Sequence, residues 1–271
     1  MMRALYTAAT GMIAEQTNVD TIANNLANVN TNGYKTQRTE FKSLLYQTLQ
    51  TKTTTADGEQ KPVGAQVGLG TRVAAITSIY TQGSLLASDS ATDFALQGEG
   101  FFAVRGADGE VTYTRNGNFT WGITADGRTA LLDSMGGMVL DTEGNPIYIP
   151  QDVSADSMRF SDSGEIGYET VEGQYIDMQQ KFAIYHFNNP VGLEKLAFSR
   201  FQPSVASGDP MLQGVDTTSQ STIHQYFLEG SNVQVADEMV NMIIAQRAYQ
   251  MNSKAITTAD SMLEVANNLK R

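Results

Sequence analysis

Two stretches of helical period sit at opposite ends of this 271-residue chain, and together they constrain it most. Near the N-terminus, Leu5, Ala8, Met12, Val19, Ile22, Leu26 and Val29 recur at three- and four-residue steps, with Glu15 as the one polar occupant. That spacing puts them on one face of a helix, in the manner of a heptad seam. The pattern breaks at Thr31-Asn32-Gly33, where Asn and Gly tolerate the left-handed backbone that ends helices. At the other end, Val233, Ala236, Val240 and Ile243 repeat the spacing. After a slip, Ala248, Met251, Ala255, Thr258, Met262, Val265 and Leu269 continue it. No Gly or Pro falls between Ser231 and Arg271, so one helix of roughly 35–40 residues, about 55 Å long, is expected there. Ser231 or Asn232 is the expected N-cap, with Asp237 and Glu238 near the positive end of the helix dipole.

The middle of the chain has a different period. Phe101–Val104, Val111–Thr114 and Asn145–Ile149 read as strands, and Asp108-Gly109, Asn116-Gly117 and Asp126-Gly127 read as hairpin turns. The expected fold is therefore α+β: an antiparallel β domain flanked by N- and C-terminal helices that pack as a coiled-coil-like assembly core. The expected divisions are 1–35 for the first helix, 36–95 for an extended linker, 96–228 for the β domain and 229–271 for the last helix. Within the linker, Thr51–Gly70 is a tract of Thr, Gly, Gln and Lys that suits an extended or flexible connection.

The helical stripes are thin and rich in Ala, Met and Thr. Such a seam buries little area and stabilises an isolated helix pair poorly, yet it lets helices approach closely when many copies pack. On periodicity alone two readings stand: a polymer whose termini order on assembly, and a plain helix hairpin capping a β domain.

Charge narrows the partners. The formal net charge is −11; residues 1–50 carry +1 and residues 230–271 carry 0, so the middle carries −12. An acidic middle argues against nucleic acid, whose phosphates demand Lys and Arg. The absence of Cys excludes disulfides and thiolate metal sites. No apolar run is long enough for a membrane span, and the N-terminus lacks a continuous apolar core, so neither membrane insertion nor a cleaved signal peptide is expected.

Residues 23–35 read Ala-Asn-Asn-Leu-Ala-Asn-Val-Asn-Thr-Asn-Gly-Tyr-Lys. Toward the other end come Ser231-Asn232-Val233, Glu238, Met242-Ile243, Gln246-Arg247-Ala248-Tyr249, Asn252, Lys254 and Thr258-x-Asp260. Inside lie Asp93–Phe102 and Tyr113-Thr114-Arg115-Asn116-Gly117-Asn118-Phe119. These blocks, in this order, resemble the flagellar rod, hook and hook-associated family, and the last of them resembles that family's first hairpin. Leu44-Leu45-Tyr46-Gln47-Thr48, a polar tract, and Val67–Val73 resemble the rod members, and the chain has no room for the extra outer domain of hook subunits. Residues 151–228 match only loosely.

The resemblance implies a structural subunit with no catalytic activity and no cofactor. It polymerises with its own copies into a tubular drive shaft, at a distal position in the rod, with a proximal-rod paralogue as the competing assignment. A secreted β-domain adhesin or carbohydrate-active enzyme is the more remote reading. The implied partners are proximal rod proteins, the hook protein or hook junction, the flagellar export apparatus and outer ring proteins. The implied place is the basal body in the cell envelope and periplasmic space. The expected assembly interface comprises Leu5, Met12, Asn24, Asn25, Leu26, Asn28, Val240, Ile243, Gln246, Arg247, Tyr249, Met251, Ala255 and Met262. Leu44, Leu45, Tyr46 and Gln47 form the rod-type segment.

Some of these residues carry two readings. The amides of Asn24, Asn25 and Asn28 suit hydrogen bonds between subunits or a solvated last helical turn. Arg247 interrupts the apolar stripe; it is either paired with Asp20, Glu15 or a neighbouring subunit, or extended into solvent. Gly98-Glu99-Gly100 lacks the third glycine of a dinucleotide loop, so a tight strand turn is expected. His186 and His224 are the two histidines, and no motif joins them into a metal or nucleophilic site. The Asp/Glu–Gly tracts at 108–110, 141–144 and 162–165 depart from the calcium-loop pattern and read as ordinary turns.

Overall fold

The computed structural model describes residues 2–50, 64–124, 126–150, 153–170, 174–214 and 220–269. The chain divides into two compact units. One holds residues 1–27, 37–78 and 234–271; the other holds 28–36 and 79–233.

The first unit contains both long helices, α1 (Met2–Ala27) and α2 (Val235–Asn268). They run antiparallel: Asn25 meets Glu238 and Gly11 meets Asn252, so fourteen residues back along α1 correspond to fourteen forward along α2. At Gly11 a Cβ would lie 2.7 Å from Asn252 Nδ2, so the missing side chain lets the helices close on each other. α1 also packs on a ribbon of β1 (Gln37–Ser43) and β4 (Thr71–Ser78), paired antiparallel with a bulge between Glu40 and Phe41. Thr39 Oγ1 donates to Thr21 Oγ1 at 3.0 Å across this contact. The ribbon continues as β2 (Tyr46–Gln50) and β3 (Ala65–Gly68), paired Tyr46↔Gly68 to Gln50↔Ala65. Every β2 side chain is exposed. The stretch read as an extended connection is thus strand at 46–50 and 65–68, and its residues 51–63 lie outside the described residues.

Two expectations for α2 change. Its N-cap is Gln234, not Ser231 or Asn232, because the Asn232 amide is committed elsewhere. Asp237 and Glu238 do occupy the first turn. The apolar stripe is also not the face that meets α1. The covered positions are Glu238, Ala245 and Ala259, with Met242, Asn252, Ile256 and Leu263 half-buried. From Met251 onward this face is displaced one residue from the stripe, about 100° around the helix. Along that inner face Glu238, Ala245, Asn252 and Ala259 break up Met242, Ile256 and Leu263, so the continuous apolar period traced the outer face.

The described strands of the second unit all pair antiparallel, and the unit is wider than residues 96–228. Strand β5 (Leu85–Ala87) pairs with Phe227–Glu229, and β6 (Phe94–Gln97) pairs with Thr222–Gln225. The main sheet centres on β7 (Phe101–Arg105), bonded to β8 (Val111–Thr114) along one edge. Its other edge takes Ile184–His186 and then Met138–Val139. Both faces of β7 are covered. Phe102 and Val104 point into a core with Phe94, Phe119, Leu131, Ile147, Ile166 and Phe182. Phe101 and Ala103 point into a second with Tyr113, Leu140, Phe187 and Phe201. This explains why 101–104 is an unbroken apolar run.

Asp108-Gly109 closes the β7–β8 hairpin, with Gly109 at φ +81°. Asp126-Gly127 closes the hairpin of β9 (Phe119–Ile123) and β10 (Thr129–Asp133), with Thr124 N–H donating to Arg128 O. Asn116-Gly117 does not make the expected hairpin. β8 pairs with β7 and Arg200–Gln202, whereas β9 pairs with β10. The glycine serves a close crossing instead: Phe94 N–H donates to Gly117 O, and a Cβ on Gly117 would strike Phe94 O. Asn145–Ile149 is likewise no continuous strand; it makes the isolated bridges Leu140↔Pro146 and Ala130↔Tyr148, and Pro146 has no N–H for a ladder. Gly98 and Gly100, at φ +112° and +125°, form the tight turn from β6 to β7.

Candidate functional site

Taken alone, the helical unit presents apolar side chains outward. On α2, Val240, Ile243, Met251 and Met262 are exposed, as are Met239, Ile244 and Val265. Ala255 shares this outer side and is exposed. On α1, Leu5, Met12 and Leu26 are half-buried against the rest of the unit, and Ile13 and Tyr6 stand out into solvent. Gln246 and Tyr249, with Gln16, Val19 and Gln250, line a groove of ≈ 340 Å³. The rod-type segment is similarly bare: Leu45 and Tyr46 are 83% and 62% exposed, Gln47 is exposed, and Leu44 is half-buried. A two-stranded ribbon with neither face covered is marginal alone.

The asparagines separate in role. Asn24 is exposed, and Asn28 accepts from Thr31 Oγ1 at 3.1 Å in the turn after α1. Asn25 is 1% exposed and serves the chain internally, contrary to both readings of it. Its Oδ1 accepts Gln37 N–H at 2.9 Å, and its Nδ2 donates to Gln37 O at 2.8 Å and Glu238 Oε2 at 3.2 Å. It clamps the start of β1 to α1 and α1 to α2. Arg247 is exposed and reaches Gln250 Oε1 at 3.5 Å, so the solvated reading holds within one chain and the pairing with Asp20 or Glu15 does not.

The β unit contains a polar cluster absent from the expected interface. Glu229, 1% exposed, accepts from Lys35 Nζ at 2.6 Å and Gly83 N–H at 3.0 Å through Oε1, and from Arg115 Nη1 at 3.1 Å through Oε2. Its backbone oxygen accepts Gly33 N–H at 2.8 Å, with Gly33 at φ +69°. Lys35 also donates to Thr81 O, and Arg115 Nη2 to Gly98 O at 2.6 Å. Beside it, Asn232 Oδ1 accepts both the N–H and the hydroxyl of Thr36 at 2.7 Å, while its Nδ2 donates to Ile79 O and Thr81. One cluster thus fastens four passes of chain, 33–36, 79–83, 229–232 and the one at Arg115, which also reaches Gly98. Burial holds the Lys35 ammonium below the usual lysine range; Glu229 pulls it back up, and Arg115 pushes it down. Lys35, Arg115 and Asn232 all fall inside the quoted motifs, but no period or spacing marks them as a cluster.

The remaining candidates are structural. His186 is buried with Nε2 3.1 Å from Gln213 Oε1, and His224 Nε2 lies 2.6 Å from Gln97 Oε1. Asp141 Oδ1 accepts the N–H groups of Glu143 and Asn145, an Asx turn. Among the described residues no group of three His, Asp or Glu could hold a metal ion. Nor is any described helix long and apolar enough to cross a membrane.

Three segments match family models: flagella basal body rod protein over residues 5–35, flagellar hook protein FlgE/F/G D1 domain over 95–168, and flagellar basal body rod FlgEFG protein C-terminal over 224–269. These matches define the class, that of the rod and hook proteins of the flagellum. Over its full length the chain is 42% identical to the flagellar basal-body rod protein FlgG of Borreliella burgdorferi, each chain covered completely. It is 41% identical to FlgG of Agrobacterium fabrum, covering 99% of this chain and 100% of that one, and 35% identical to FlgG of Bacillus subtilis over the whole of both. The chain belongs to the FlgG family of flagellar basal-body rod proteins. It is a structural subunit of the rod, located in the basal body.

Proposed function

We propose that this subunit polymerises with its own copies into the distal rod, using the outer faces of α1 and α2 as the lateral contacts and β2–β3 as an added brace. The observation that carries the reading is the outer face of α2, where Val240, Ile243, Met251 and Met262 stand exposed on one 34-residue helix. Burying such side chains against neighbours stabilises each by about 1.5–3 kcal/mol, which a chain of repeated contacts accumulates. Proximal rod subunits at one end and the hook or hook junction at the other continue the shaft. The export apparatus delivers the subunit, and outer ring proteins surround it.

Ala255→Asp tests the proposal. A carboxylate buried without a partner in a subunit contact costs several kcal/mol, on the order seen for unpaired buried charge. Purified Ala255→Asp protein is expected to keep the wild-type circular dichroism, while the strain carrying it forms no rods or hooks. Normal motility in that strain would place position 255 in solvent and remove it from the interface.

A further inference from the structure

Within the β unit, Tyr80, Glu99, Gly100, Phe101, Arg115, His186, Phe187, Asn188 and Pro190 enclose a cavity of ≈ 230 Å³. Arg115 is 4% exposed, and its Nε is a buried donor with no hydrogen-bond partner among the described residues. Its two other nitrogens are already engaged, by Glu229 and by Gly98 O. A buried donor left unmade keeps its full desolvation penalty, which is larger when the group is charged. Charge points the same way. The buried cluster sets two cations, Lys35 and Arg115, against one carboxylate, Glu229, and so carries an excess of one positive charge. The acid that lines the cavity, Glu99, is exposed to solvent.

We infer that this cavity is a carboxylate-binding site in which Arg115 Nε–H donates to the incoming oxygen. The unpartnered Arg115 Nε–H and one unit of excess charge match a monoanion. The Phe101 and Phe187 walls suit the hydrocarbon stem that carries a carboxylate, and the guanidinium carbon already lies 5.5 Å from the Phe101 ring centroid. The oxygen would come from an Asp or Glu of a second copy or from a small free carboxylate, and the two sources share this chemistry.

The test uses the full chain labelled at arginine nitrogen. The Arg115 Nε–Hε resonance is identified by its loss in Arg115→Lys, which keeps a cation beside Glu229. Propionate is expected to move that resonance saturably, whereas chloride at equal ionic strength leaves it in place. Asn188→Tyr, which narrows the exposed mouth without touching the cluster, is expected to abolish the shift. A shift that also follows protein concentration without propionate, and is lost in Asn188→Tyr, assigns the carboxylate to a second copy; one that needs propionate assigns it to a free ligand. No saturable shift, a shift that survives Asn188→Tyr, or a resonance displaced by Glu99→Gln alone would overturn the inference, the last because the acceptor would be the chain's own Glu99.

Discussion

Glu229 balances two cations on one buried carboxylate and, through its backbone oxygen, also holds Gly33 in the pass of chain that carries Lys35. A glutamine there keeps the shape and removes the charge, stranding Lys35 and Arg115 together. Glu229→Gln is therefore expected to cost about 3–5 kcal/mol, read as a lower urea midpoint with an unchanged slope. A midpoint within error of wild type would show that the two cations find other acceptors. Tyr113 gives a pH signature. Burial, reinforced by nearby Tyr185, pushes its phenol up to about 12 from the ordinary 10.0. Below pH 10 the phenol is neutral in both states and contributes its full share. Between pH 10 and about 12 the unfolded chain ionises while the folded one does not, so this share of stability falls as pH rises and is gone above the folded value. Tyr113→Phe is expected to flatten that alkaline decline in unfolding free energy. If the mutant declines as steeply as wild type over that range, other groups account for the loss.

At the level of elements, the two helices were legible in sequence because their period and lack of breakers need no tertiary information. Which face of α2 turns inward was not legible. Hydrophobic periodicity finds the greasiest face, and on α2 that face points away from α1. The inner face is marked instead by small residues: Ala245 and Ala259 on α2, and Ala8, Gly11 and Ala14 on α1. The Asn116-Gly117 pair misled for a related reason, since glycine there accommodates the Phe94 backbone and not a turn. Gly11 provides the test of the inner face. Gly11→Leu gains intrinsic helix propensity of about 0.8–1 kcal/mol, but its side chain must enter the space of Asn252. Overpacking of about 1–3 kcal/mol should outweigh that gain. The variant is expected to melt earlier by far-ultraviolet circular dichroism, and Asn252→Ala in the same chain should restore part of the loss. A Gly11→Leu protein more stable than wild type would mean that position 11 has open space.

For the whole molecule, the α+β organisation was readable because it rests on two periods, 3.6 at the ends and 2 between them. The division into units was not, because residues 28–36 and 229–233 join the β unit through Gly33, Lys35, Glu229 and Asn232, contacts between positions almost two hundred residues apart. The ribbon of β1–β4 is where the subunit is expected to determine the mechanics of its polymer. The side chains of β2 and most of β3 are exposed, and Leu45, Tyr46, Leu49, Val67 and Leu69 are exposed along them. An uncovered ribbon is marginal in a lone subunit, and covering it with neighbouring copies would stabilise both partners. A torque-bearing shaft needs lateral contacts between its subunits to resist bending. Deleting Thr51–Pro62, which lies outside the described residues, shortens the connection between β2 and β3 without removing any residue of α1, α2 or the β unit. The deleted subunit is expected to fold with wild-type thermal stability and to be exported, but to assemble curved rods in place of straight ones. Electron micrographs of basal bodies decide it: straight rods of wild-type length would mean that stiffness resides in the helices alone, and absent rods with an unfolded subunit would mean that the segment is needed for folding.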